Sequence, residues 1–162
     1  MTAQPLESDF LKSAPGQEPI LVEGLFRATP ARVFQAFTVP EEINGWFLPA
    51  GRLADVEIDL KVGGLWRFVL QNDHEKQERL EGEYLEIAAP NLLKFSWRHV
   101  VELADGTRQE TDRSFVSISF KAAGSATQVR LRHEAIKTED ARLGVGTGWA
   151  DCLHRMTGFL AK

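Results

Sequence analysis

The stretch GVGTGWADCLHRMTGFLA, Gly144 to Ala161, sets glycines at every second position ahead of an apolar stripe. Glycines spaced this way can cradle a phosphate when a buried strand leads into them and a Lys-Ser or Lys-Thr pair follows. Here the preceding residues are KTEDARL, polar and helix-compatible, and no such pair follows. A nucleotide site is therefore not expected. The glycines read as a flexible loop, suited to a lid, that delivers the chain to a helix led by Trp149.

Other chemistry-bearing residues are sparse. His74, His99, His133 and His154 contain no i, i+4 pair and no carboxylate-helix motif. With Cys152 as the single cysteine, neither a disulfide framework nor a multi-thiolate metal site is expected. No G-x-S-x-G elbow supports a serine nucleophile. Glu81 and Glu83 lie on a period-2 face as solvated strand residues, and Glu41 and Glu42 favour a helix start. No catalytic residue, no metal ligand and no cofactor is assigned.

The chain of 162 residues carries a net charge of -4. It has no basic run to neutralise phosphates, so nucleic acid is not an expected partner. The opening MTAQPLESDFLKSAPGQEP has neither a basic start nor an apolar core and does not read as a signal peptide. No run approaches the roughly 20 apolar residues of a membrane span, and a reducing cytoplasm is the expected compartment.

Residues 1–19 are rich in Pro, Ser, Gly and Gln and read as a flexible N-terminal arm. Residues 20–162 form one domain. Ile20 to Ala28 is the first strand candidate. Thr29-Pro30 is a helix start, with Val33, Phe34, Ala36 and Phe37 at helical spacing, and Pro40 opens a second short helix. The period then changes from 3.6 to 2. Strands are predicted at 52–59, 65–71, 79–87, 92–102, 114–121 and 127–133, with a polar turn region running from Asp105-Gly106 to about Asp112. That meander predicts an antiparallel sheet with one buried face. Trp149, Cys152, Leu153, Met156, Phe159 and Leu160 make the stripe of a helix long enough to cover it.

This order of elements resembles the helix-grip plan of the START, polyketide-cyclase and birch-pollen-allergen superfamily. Within it the chain resembles the branch related to the C-terminal domain of the heat-shock-protein-90 ATPase activator. The resemblance rests on PARVFQAFTVPEEINGWF at 30–47, DLKVGG at 59–64, EGEYLEIAAPNLLKFSW at 81–97, FVSISFKAAGSATQVRLRHE at 115–134 and GWADCLHRM at 148–156. It implies an α+β helix-grip fold. A curved antiparallel sheet of about seven strands would wrap a long C-terminal helix, with two short helices after the first strand.

The resemblance also implies a cavity between sheet and helix, often used for apolar small molecules. In that arrangement Trp66, Phe68, Trp97, Ile118 and Leu131 face Trp149, Leu153 and Met156 as candidate cavity residues. Trp46 and Trp149 are expected at its mouth. For most of these residues core packing is the plainer role; the tryptophans pair ring area with an N–H that needs a partner. His99 and His133 continue the apolar phase of their strands, as core histidines satisfied by the protein or as anchors for a polar group on the ligand. The leading expectation is a binding protein for a small, mainly apolar ligand. A cyclase- or aromatase-like enzyme using the same cavity comes second, and a chaperone-interacting module third. A homodimer through a strand edge or the mouth aromatics is compatible with the pattern but not required by it.

Overall fold

Thr29 and Pro30 start the first helix as their chemistry dictates. In the computed structural model, which describes residues 10–49 and 52–162, the Thr29 hydroxyl accepts from the Arg32 amide at 3.2 Å. Helix α1 (Pro30–Thr38) buries Val33, Phe34, Ala36 and Phe37 and stops before Pro40, which opens α2 (Pro40–Ile43). Ahead of these helices runs β1 (Ile20–Phe26).

The remaining strands are β2 (Asp55–Ile58), β3 (Leu65–Asn72), β4 (Lys76–Ala88), β5 (Leu92–Leu103), β6 (Arg108–Glu110), β7 (Ser114–Ala123) and β8 (Ala126–Glu134). They form one eight-stranded antiparallel sheet in the order β1-β8-β7-β5-β4-β3-β2, with β6 pairing β5. Its inner face is the alternating apolar set. Val116, Ile118 and Phe120 on β7 and Val129 and Leu131 on β8 are all essentially inaccessible.

The extra strand lies in the stretch expected to be a turn. The Asp105 carboxylate accepts the Thr107 amide, Gly106 takes a positive φ, and Leu103 N–H reaches the Thr107 carbonyl. This makes a tight hairpin, so Arg108–Glu110 folds back beside Val100–Glu102. The short strand is polar and exposed at all three residues, hence invisible to an alternation pattern. Gly82 is required for another reason: a Cβ there would lie 1.9 Å from the Ser96 carbonyl oxygen on β5.

The last helix corrects the expectation of a glycine-rich loop. Helix α3 (Glu139–Leu160) contains Gly144, Gly146 and Gly148. Its start lies in the polar residues before them. The Thr138 hydroxyl accepts the Ala141 amide, and Glu139 and Asp140 occupy the first turn. Arg142 adds bonds to the carbonyls of Gly16 and Ile136. These fixed ends outweigh a glycine penalty of about 1 kcal/mol per residue. Leu153 and Met156 are fully buried against the sheet, each contributing on the order of 2 kcal/mol.

Of the N-terminal arm, residues 1–9 lie outside the described residues. Residues 10–13 run back along β1. Phe10 is buried, Leu11 bridges Val22, and amides of Lys12 and Glu23 bond across to the carbonyls of Leu21 and Phe10. Among the described residues no helix is long and apolar enough to cross a membrane.

Candidate functional site

Position 97 on β5 sits where sheet and last helix part. The Trp97 indole stacks obliquely on Trp149 of α3, ring centroids 5.3 Å apart, and touches Trp66 at 5.5 Å and the His133 ring at 5.2 Å. On either side of it opens a cleft. One, of about 380 Å³, runs between the segment after α2 (Phe47, Leu48, Pro49), Leu70 and Leu80 of the sheet, and Val145, Gly148, Trp149, Cys152 and Arg155 of α3. The other, of about 350 Å³, lies at the opposite end of the helix, between His99, Thr111 and Ser114 and the stretch from Ala135 to Val145. Trp97 and Val145 border both. Walls of aromatic and aliphatic groups with a few polar atoms suit a small apolar molecule.

The histidines separate. His133 is completely buried. Its Nδ1 accepts the indole N–H of Trp149 at 3.0 Å, so its proton is on Nε2, which donates to Ser114 Oγ at 2.7 Å. Burial pushes this imidazole down to about 3, and it stays neutral. His99 lies on the wall of the second cleft, with Nε2 at 2.7 Å from a Glu78 carboxylate oxygen. Its backbone amide is held by the Thr111 hydroxyl, and its Nδ1 has no partner among the described residues.

The indoles separate too. Trp46 donates to the Ala36 carbonyl and is 2% exposed, an interior side chain instead of the mouth residue expected. Trp66 donates to the Ser96 carbonyl and Trp149 to His133. The N–H of Trp97 has no partner among the described residues, yet it is not among the fully buried unpaired nitrogens. It therefore keeps some accessible surface.

Trp46, Trp66 and Phe68 meet Trp97 and Trp149 around a small void of about 20 Å³, too tight for a ligand. Ile118, Leu131, Leu153 and Met156 are core side chains that border neither cleft. Residues not anticipated from sequence are Glu78, Ser114, Val145 and Arg155. Ser114 continues the apolar phase of β7, a readable signal, whereas Val145 was hidden in the glycine stretch. Arg155 latches the wall of the first cleft, its guanidinium donating to the carbonyls of Trp46 and Phe47 at 3.0 and 2.8 Å. Beside it the Cys152 thiol donates to the Phe47 carbonyl, and burial pushes its pKa up to about 12.

The family model described as "Activator of Hsp90 ATPase homolog 1-like protein" matches residues 27–161. No curated protein matches the chain significantly. Among solved structures, CalU16 from Micromonospora echinospora is 25% identical, with a TM-score of 0.64 over 93% of this chain and 82% of that one. A protein from Rhodobacter sphaeroides is 18% identical with a TM-score of 0.73, covering 93% and 97%. One from Rhizobium leguminosarum is 21% identical with a TM-score of 0.69, covering 88% and 93%. The last two share the fold alone.

Proposed function

We propose that this chain, which belongs to the family of activator of Hsp90 ATPase homolog 1-like proteins, binds a small, mainly apolar molecule in the paired clefts beside Trp97. The observation that carries this reading is that one indole, with an N–H unpartnered among the described residues, walls two clefts at the junction of sheet and helix. A cytoplasmic protein with one buried, reduced thiol fits the same reading.

The test is native mass spectrometry of gently purified protein against the same sample unfolded, with tryptophan fluorescence titrated by added apolar compounds. Extra mass lost on unfolding, or saturable quenching, is the expected result. Bare protein whose fluorescence answers to no apolar compound would falsify the reading.

Catalysis of the cyclase or aromatase kind in the same clefts is the second reading. The His99–Glu78 pair favours it, because a carboxylate-held imidazole is a common proton-transferring group. Turnover undiminished in His99→Phe removes it. Contact with the Hsp90 chaperone rests on the family description alone and ranks below both.

A further inference from the structure

The wall of the second cleft carries more polar groups than it leaves available. Glu110 pairs with Arg108 at 2.7 Å, the Thr111 hydroxyl accepts the His99 amide, and the Thr138 hydroxyl accepts the Ala141 amide as the cap of α3. Ser114 is occupied by His133 and also donates to the Trp97 carbonyl. Asp112 and Lys137 are exposed rim residues. On the residues that line this cleft, Nδ1 of His99 and the indole N–H of Trp97 have no partner among the described residues. They belong to residues i and i+2 of β5 and so stand on one face of the sheet.

Their chemistry is defined. The Glu78 carboxylate accepts from Nε2 of His99 and keeps that ring's proton there. In the neutral form of this ring Nδ1 is an acceptor beside a flat aromatic surface, and the indole N–H is a donor. A ligand that answers both groups offers a hydrogen-bond donor, an acceptor and a ring. A carboxylate lacks the donor, and an ether or plain hydrocarbon likewise has nothing to give Nδ1.

We infer that the ligand is a hydroxylated aromatic compound. Its ring lies against Trp97, its hydroxyl donates to Nδ1 of His99, and an oxygen on it accepts the Trp97 N–H. This rests on the proposed binding function and names the ligand class for the same site.

Three probes with one ring system separate the outcomes: 2-naphthol, its methyl ether 2-methoxynaphthalene, and 2-naphthoate, titrated by tryptophan fluorescence and calorimetry. The expected result is 2-naphthol binding about tenfold more tightly than the ether, the scale of one well-made hydrogen bond. That ratio should fall to about one in His99→Phe and shrink in Glu78→Gln, where the amide no longer fixes the ring's proton. Circular dichroism checks that each variant is folded, and the milder Glu78→Gln carries the test if His99→Phe is not. Equal affinity of naphthol and ether in the wild type, or a preference for naphthoate, overturns the hydroxyl inference while leaving the binding function standing. Failure of all three probes to bind overturns the hydroxylated-aromatic inference, whereas the binding function stands or falls on the native mass measurement.

Discussion

Trp149 of the last helix donates its indole N–H to Nδ1 of His133 on β8 at 3.0 Å. That bond sets the direction of every other bond in the group. The imidazole proton is forced to Nε2, Ser114 Oγ must accept it, and the serine's own proton goes to the Trp97 carbonyl. One buried polar chain thus joins α3 to β8, β7 and β5, and it leaves no lone pair on His133 for any ligand.

The chain makes the protein acid-sensitive. Burial pushes His133 down to about 3 from an ordinary 6.5, so below pH 6.5 the unfolded chain binds a proton that the folded one refuses. Stability from this group is complete above about pH 6.5 and is lost as pH falls toward 3, by up to about 1.4 kcal/mol per unit. Hydrogen bonds and arginines that lower Asp73, Glu102, Asp105 and Glu110 act in the same direction at more acid pH. Urea midpoints of wild type and His133→Gln from pH 4 to 7 should therefore converge as pH falls. Parallel profiles would remove His133 as the source.

Ser114→Ala strands the Nε2 proton of His133 in an apolar interior. A loss of about 1–3 kcal/mol is expected in equilibrium urea unfolding. A neutral effect would mean that water replaces the hydroxyl.

The glycines of α3 and Gly82 should respond oppositely to alanine. A Cβ at Gly144 or Gly148 meets nothing within 4 Å, so each substitution should stabilise the helix by up to about 1 kcal/mol and raise the melting temperature. Gly82→Ala places its methyl against the Ser96 carbonyl and should cost about 2 kcal/mol or more.

Arg155→Ala frees the carbonyls of Trp46 and Phe47 and loosens the wall of the first cleft. Cys152 is shielded by that wall and held as a thiol, its pKa near 12. Native protein at pH 8 should react with a thiol reagent only slowly, and the variant at least tenfold faster as local opening becomes easier. Equal rates would show that the thiol is reached by another route.

Legibility in the sequence tracks the range over which each physical cause acts. Alternation on β7 and β8 matches burial residue by residue, because a half-buried sheet imposes its period on the chain. Thr29-Pro30 starts a helix locally. The glycine stretch misled because helix propensity is weak: the Thr138 cap and the packing of Trp149 decide the matter from outside it. The polar hairpin of β6 carries no apolar signature at all. For the site, the inward phase of Trp97 and His99 was readable, but a cleft is space that side chains fail to fill, a property of several elements at once. Nothing local distinguishes Ile118 or Met156, which fill the core, from Val145, which borders both openings.

Residues 10–13 have a consequence for how molecules of this protein behave toward one another. By bonding along β1 they occupy backbone groups that would otherwise recruit a foreign strand. At the opposite margin of the sheet stands β2, four residues long, with Asp55 and Glu57 exposed. Two copies meeting there would bring carboxylates together. One margin is covered around Leu21–Glu23 and the other repels its own kind, so the sheet is guarded against growing into fibres at high concentration. Deleting the arm as far as Ser13 should surrender that protection first, before it costs the fold.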